Sequence, residues 1–323
     1  MFEKSEQSTV EEIIETNETE SSEEVVSSGR KKVVNKYTVT LVAIITVLFL
    51  LYLLLPAEQL QRISALISKD NYLFYWMLLV GFLAEIVAGS MGMGYGVICT
   101  TILLILNIPP AVISASIHSA ESFTSAAGTI SHWQLGNVNK KLVKVLAIPA
   151  IIGAIIGAIA LSLLSEGEKY AKMTKPFLAA YTMYLGYTIL RNAFVKKDVF
   201  ATKKKVNITT LGLFGGFIDS FGGGGWGPLV TGTFIKNGRT PRYVVGSSTM
   251  AKFILTVASA ITFIFTIGIH HWNIVAGLLI GGIITAPFSA MLTAKLPREK
   301  MFVTVGIVVI VCSCITLYRF FFL

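Results

Sequence analysis

Charge is scarce in this chain of 323 residues: 14% are Asp, Glu, Lys or Arg, against 54% apolar. Soluble domains carry about 25% charge, and the mean hydropathy of +0.70 points the same way. A separate soluble catalytic domain is excluded. Cysteine is nearly absent as well. Cys99, Cys312 and Cys314 are the whole supply, too few for a disulfide framework or a thiol-based metal site. No cofactor motif stands out. Gly222, Gly224 and Gly227 match the G-x-G-x-x-G spacing of dinucleotide sites, but no βαβ context surrounds them and no acid follows about 20 residues on. With no nucleophile, metal cluster or cofactor motif, the chain is expected not to be an enzyme.

What the sequence does have is apolar length. A helix rises 1.5 Å per residue, so about 20 residues cross a 30 Å hydrocarbon core. The expected fold is all-α: a polytopic membrane protein, multi-pass, in the cytoplasmic membrane.

The net charge of +9 is unevenly spread. Residues 1–29 hold nine glutamates and one lysine, a balance of −8, whereas the remainder holds 26 basic and nine acidic residues, a balance of +17. In a membrane protein such asymmetry reports topology, and nucleic acid is not an expected partner. Residues 1–36 read as an acidic, disordered cytosolic tail ending in a basic juxtamembrane segment. Residues 37–55 form an extra transmembrane anchor, too far along for a cleaved leader, and 56–71 an amphipathic interfacial linker. Transport repeat 1 is expected over 72–194, a basic cytosolic loop over 195–205, and transport repeat 2 over 206–323.

The duplication carries the most information. Gly81 through Gly96 aligns with Gly212 through Gly227 at an offset of 131, and the same offset pairs Pro110 with Pro241, Ser116 with Ser247 and Ala120 with Ala251. Each half contains a glycine-rich break followed by a short apolar run, Val97 to Asn107 or Pro228 to Ile235, long enough for only half a bilayer. These runs are expected to be re-entrant half-helices.

Placing the N-terminus in the cytosol puts nineteen basic residues and Lys4 inside, leaving Arg62, Lys69, Lys169, Lys172, Lys175 and Arg319 outside. The C-terminus is then external. Seven crossings with two hairpins and eleven crossings fit this bias equally. Either count makes each repeat odd, so the halves are inverted, as in secondary transporters.

Two kinds of residue can carry chemistry. Gly92, Gly94 and Gly96 precede one short helix; Gly222, Gly223, Gly224, Gly225 and Gly227 precede the other. Backbone N–H groups at such helix starts suit a dehydrated anion; the plainer reading is tight helix packing. The second kind is the ionisable residue inside an apolar segment, a functional hypothesis by default: Glu85, His118, Glu121, Asp219, Lys252 and the borderline His132. Glu121 and Lys252 are equivalent in the repeats. Lys252 can attract an anion and Glu121 can exchange a proton, or the two can form a neutralising pair between the halves. His118 shares a helix face with Glu121 and can relay protons or bond a carbonyl. Glu85 and Asp219 can couple protons or cap broken backbone. Ser116 and Ser247 are candidate oxyanion ligands, while Gly153-x-x-x-Gly157 and Gly277-x-x-x-Gly281 read as helix contacts.

From about Phe74 onward the chain resembles the sulfite exporter TauE/SafE family, also called the toluene sulfonate uptake permeases. The resemblance rests on Gly222-Gly-Gly-Gly-Trp-Gly-Pro228 with Thr240-Pro241, on Ser90-Met-Gly-Met-Gly-Tyr-Gly96 with Pro109-Pro110, and on the polar turn Gly136-Asn-Val-Asn139. The first half departs from the pattern, with Met91, Met93 and Val97 where the second has Gly222, Gly224 and Pro228. The resemblance implies transport of small organosulfur or organic anions such as sulfite and sulfonates, often as proton-linked export by alternating access. A passive anion channel, or a membrane-embedded enzyme using Glu121 and His118, are the alternatives. The expected partners are a small anion, protons and lipid; a homo-oligomer stays open.

Overall fold

The computed structural model describes residues 72–91, 93–134, 136–166, 168–194, 206–237, 239–268, 271–292 and 298–322. The tail, anchor, linker and basic loop expected over 1–36, 37–55, 56–71 and 195–205 lie outside the described residues, as does Gly92. The described residues form helices and no strand.

In the first half these are α1 (Leu73–Met91), α2 (Tyr95–Ile105), α3 (Pro110–Gln134), α4 (Lys140–Glu166) and α5 (Glu168–Phe194). The second half has α6 (Ile208–Gly222) and α7, which runs from a π-helical turn at Gly227–Thr231 into Gly232–Lys236. It continues with α8 (Pro241–Thr266), α9 (Trp272–Leu292) and α10 (Arg298–Phe322).

Local chemistry sets the boundaries. Proline opens the third helix of each half, Pro110 in α3 and Pro241 in α8; at that position its missing N–H would have no helical partner anyway. Asn139 caps α4, its Oδ1 accepting from the N–H groups of Lys141 (3.0 Å) and Leu142 (3.1 Å). Asn207 caps α6 the same way through Thr210 (3.2 Å). The short α2 has 11 residues, about 16 Å of helix. One correction applies here. Gly96 and Gly227 do not precede the short helices but lie inside their first turns.

The distribution of side chains is that of a membrane-embedded protein. Large apolar residues face outward, for example Ile148, Ile152, Ile155 and Ile159 along α4, whereas Glu85, His118, Glu121, Asp219 and many Ser and Thr residues are buried. Among the described residues, three spans are long and apolar enough to cross a bilayer, Lys140–Ser165, Tyr243–Thr266 and Glu299–Phe322; Leu73–Gly89, Tyr95–Ile105 and Trp272–Thr285 are shorter apolar helices.

Helices of one half pack on helices of the other in a reciprocal pattern. The first helix of each half lies against the fourth of the other (α1 on α9, α6 on α4), the third helices pair (α3 with α8), and the fifth helices pair (α5 with α10). Glycine makes the first-to-fourth contacts possible. Gly277 and Gly281 of α9 press on the α1 backbone around Phe74, Leu78 and Phe82, and Gly153 and Gly157 of α4 press on Leu213 and Phe217 of α6. The two small-residue motifs are therefore helix contacts, as expected.

Polar and sulfur contacts join the fifth helices of the two halves. Thr182 Oγ1 of α5 lies 2.9 Å from Ser313 Oγ of α10, and the Cys314 thiol lies 3.8 Å from the Met183 sulfur; both pairs are 131 residues apart.

Candidate acid–base cluster beside the glycine breaks

The glycine breaks bring α2 and α7 together at their starts. Gly94, with φ of 109°, caps α2 in a left-handed conformation that favours glycine. At Gly96 a β-carbon would overlap the backbone of Gly223 and Gly224; at Gly224 it would overlap Gly96 and Val97; at Gly227 it would overlap Met93. Since Met93 and Gly96 are equivalent to Gly224 and Gly227, the contact is reciprocal. Gly222 and Gly225 are similarly closed over by Tyr181, and Gly223 by Thr100. Close backbone approach accounts for these glycines in this conformation.

Side chains bind much of the second break. Thr100 Oγ1 donates to the Gly223 carbonyl (2.9 Å), and Tyr181 OH to the Gly224 carbonyl (2.7 Å). Asp219 Oδ1 accepts from the Trp226 N–H at 2.7 Å, reaching across the loop from α6 to the start of α7. A backbone N–H among the glycines expected to serve an anion thus has a carboxylate on it. The equivalent of Asp219 in the first half is Ala88, and no side chain caps α2. The Trp226 indole donates to Ser248 Oγ (2.8 Å), which also bonds Thr231 (2.6 Å).

Next to this crossing, α3, α6 and α8 assemble the ionisable residues. Lys252 Nζ of α8 forms an ion pair with Glu121 Oε1 of α3, both side chains being largely buried. The neutralising pair between the halves is therefore present. The second carboxylate oxygen, Glu121 Oε2, is buried with no hydrogen-bond partner among the described residues.

One helical turn earlier, His118 Nδ1 lies 2.8 Å from the Ser114 carbonyl. A carbonyl only accepts, so Nδ1 carries a proton. That leaves Nε2 directed at Asp219 Oδ2, 3.5 Å away. Both of these atoms are buried, and neither has a hydrogen-bond partner. A lone pair facing a carboxylate is repulsive, so a proton on one side or the other relieves this contact. Ser114 Oγ donates to the Ser220 carbonyl (2.5 Å), and the hydroxyls of Ser220 and Ser259 bond each other, joining α3, α6 and α8 around the cluster.

Glu85 of α1 is buried and interacts electrostatically with Glu121 and Lys252. The cluster thus gathers three carboxyl groups against one ammonium and one imidazole. Among the described residues no group of His, Cys, Asp and Glu is arranged to hold a metal ion.

The remaining candidates fall elsewhere. Ser247 Oγ accepts from the Asn139 N–H (2.8 Å) and so belongs to the turn between α3 and α4; Ser116 is buried on α3. Helical phase explains this, since five residues separate each serine from Glu121 or Lys252, placing them on a different face. His132 pairs with the Asn137 side chain (3.4 Å) near the end of α3. Sequence reasoning missed Thr100, Tyr181, Ser220 and Ser259. Thr100 had a usable signal: Thr231 stands at the same offset of 131. A separate cavity of about 680 Å³ opens near the ends of α2, α5 and α10, with Asn107, Lys172, Lys175 and Arg319 in its lining.

Comparison with known proteins identifies the family. The family model "Sulfite exporter TauE/SafE" matches residues 77–317. The chain is 39% identical over 247 residues to "Probable membrane transporter protein YtnM" of Bacillus subtilis (strain 168), covering 74% of this chain and 80% of that protein. It is 26% identical over 226 residues to "Probable membrane transporter protein YdhB" of the same organism, covering 69% and 91%. A "Probable membrane transporter protein" of Haemophilus influenzae (strain ATCC 51907 / DSM 11121 / KW20 / Rd) is 24% identical over 245 residues, covering 69% and 90%. No solved structure matches the chain.

Proposed function

Because the chain belongs to the sulfite exporter TauE/SafE family and is a membrane transporter, we propose that its cargo is a small anion, with sulfite, sulfonates and related organosulfur anions as the substrate class, and that its transport is linked to protons. The observation that carries this reading is the buried Glu121–Lys252 pair, a lone ammonium beside exchangeable acids at the junction of the two halves. An ammonium there can hold an anion away from bulk water, and a carboxyl group beside it can exchange a proton.

In this reading Lys252 is the principal anion-binding side chain. The uncapped start of α2, at Gly94 and Gly96, adds backbone N–H groups and the positive end of a helix dipole. Asp219 restricts the equivalent donors at Gly222–Gly227. Glu121, the His118–Asp219 contact and Glu85 are the proton-exchanging groups. The reciprocal helix contacts support two inverted repeats that rock about the glycine crossing, with α2 and α7 as re-entrant elements and access alternating between the two sides. The N-terminus is assigned to the cytosol from the charge bias.

The test is counterflow into liposomes holding the full-length protein, screened over sulfite, methanesulfonate, thiosulfate and small carboxylates. Saturable exchange of labelled anion for excess unlabelled anion is expected, and it is lost in Lys252→Ala. Flux without counterflow would replace the carrier by a channel, and absence of flux for every anion would remove the reading.

A further inference from the structure

We infer that the anion and a proton cross together, one for one, because Glu121 and the anion compete for the same ammonium. The inference rests on the anion-transport reading and adds the sign, the stoichiometry and the residue.

Among the described residues Lys252 has one carboxylate partner in an ion pair, Glu121 Oε1. Glu121 Oε2 is buried and has no hydrogen-bond partner, so the carboxylate is held on one side and bare on the other. An anion that reaches Lys252 while Glu121 is ionised places two negative charges beside one positive charge in a region already acidic. The groups facing Glu121 are His118 on its own helix α3, Asp219 on α6, Lys252 on α8, Glu85 on α1, and Tyr95 and Cys99 on α2. Of these only Lys252 and a protonated His118 are positive. Adding a bare anion raises the negative excess, whereas adding an anion with a proton leaves the charge of the site unchanged.

The cycle balances as follows. A proton from water on one side bonds to Glu121 Oε2, and the carboxyl becomes neutral. Lys252 keeps its three protons, its ion pair with Oε1 is broken, and an anion oxygen accepts a hydrogen bond from Nζ. On the other side the anion leaves, the proton returns to water, and the Glu121–Lys252 pair re-forms. The resting pair of the structure is the empty carrier, and it lets the protein return without cargo. One proton and one monovalent anion move with no net charge. Uptake is then the direction that an inward proton gradient drives; export runs down the anion's own gradient and carries protons out with it.

The experiment uses permanently ionised probes, methanesulfonate and thiosulfate, so that no proton belongs to the substrate itself. Full-length protein is reconstituted in liposomes containing a fluorescent pH dye, with the potential clamped by valinomycin and potassium. Methanesulfonate influx should acidify the lumen with one proton per anion, and its rate should not depend on the clamped potential. With equal methanesulfonate on both sides, an inside-alkaline pH step should concentrate it about tenfold per pH unit. Luminal alkalinisation, or anion flux with a flat pH trace, overturns the inference while leaving anion transport standing. Flux of neither probe, with sulfite and the small carboxylates also silent in the counterflow screen, removes the anion-transport reading and the inference with it. In Glu121→Gln the proton-to-anion ratio of the remaining flux should fall to near zero; a ratio that stays at one overturns the assignment to Glu121. The wild-type ratio and the pH-step accumulation decide the coupling even if that variant carries no flux.

Discussion

The two glycine breaks occupy equivalent places and make equivalent backbone contacts, yet their polar partners differ. At the second break Asp219 closes the loop onto the Trp226 N–H, Thr100 and Tyr181 hold the glycine carbonyls, and the imidazole of His118 faces the acid from the other half. At the first break the position of Asp219 is Ala88, and Gly94 caps α2 without a side chain. The two halves, read as repeats, follow the same chain path twice. Function can then be divided between the copies, with one helix start braced by a carboxylate and the other left with its donors uncapped. In the function proposed above, such inequality lets one start serve the anion and the other the proton.

The largest expected effect comes from breaking the central pair. Lys252→Ala or Glu121→Ala leaves a buried charge without its partner, a loss of about 3–5 kcal/mol. Thermal unfolding in detergent should show a clear drop, and counterflow should disappear. The exchanged double variant Glu121→Lys with Lys252→Glu should recover most of the thermal stability, because the two positions are equivalent and face each other. A double variant no more stable than the singles would mean that the surroundings of the two positions are not interchangeable.

Next come the glycines of the crossing. Gly96→Ala and Gly224→Ala each drive a β-carbon into the facing backbone, about 1–3 kcal/mol by overpacking, with slower transport, and Gly224→Ala should cost the more because its φ of 155° also disfavours a side chain. Gly94→Ala meets only ordinary contacts and suffers from its left-handed φ alone, so its cost should be smaller. Unfolding midpoints of the three variants rank these costs, and a harmless Gly224→Ala would contradict the crossing.

A smaller effect tests the inequality directly. Asp219→Ala removes the acceptor from the Trp226 N–H and should cost about 0.5–2 kcal/mol, in the range of lost helix caps, whereas Asp219→Asn keeps an oxygen there and should cost less. Because Asn cannot share a proton with His118, the asparagine variant should also change how transport rate depends on pH; identical pH profiles for wild type and variant would argue that the His118–Asp219 contact is structural only. The smallest change is expected at the α5–α10 pairing. Thr182→Val or Ser313→Ala loses one hydrogen bond, about 1 kcal/mol, and the double variant should cost less than the two singles added.

Much of this arrangement could be read from the amino acids. The constant offset predicted that Glu121 and Lys252 are equivalent, and burial of both in apolar helices left pairing as one of two outcomes. The short runs and the Pro-led third helices followed from length and from proline's missing N–H. Other features depend on three-dimensional detail that periodicity does not carry. Asp219 reaches the Trp226 N–H only because the glycines between them fold α6 and α7 toward one another, and no residue pattern encodes that reach. Tyr181 stands on α5, far in sequence from the carbonyl it holds. Ser247 looked equivalent to a ligand, but its helical phase turns it to the Asn139 turn.

The Glu121–Lys252 contact also says something about how such a chain can arise. Where two identical subunits meet about a twofold axis, a residue on that axis faces its own copy. Two buried acids, or two buried lysines, would repel one another at that place. An acid opposite a base becomes available only when the two halves are free to carry different residues. Fusing the halves into one polypeptide secures that freedom permanently and fixes which half lies against which. In the repeat organisation proposed above, the ion pair marks broken symmetry, with the acid in one half and the base in the other.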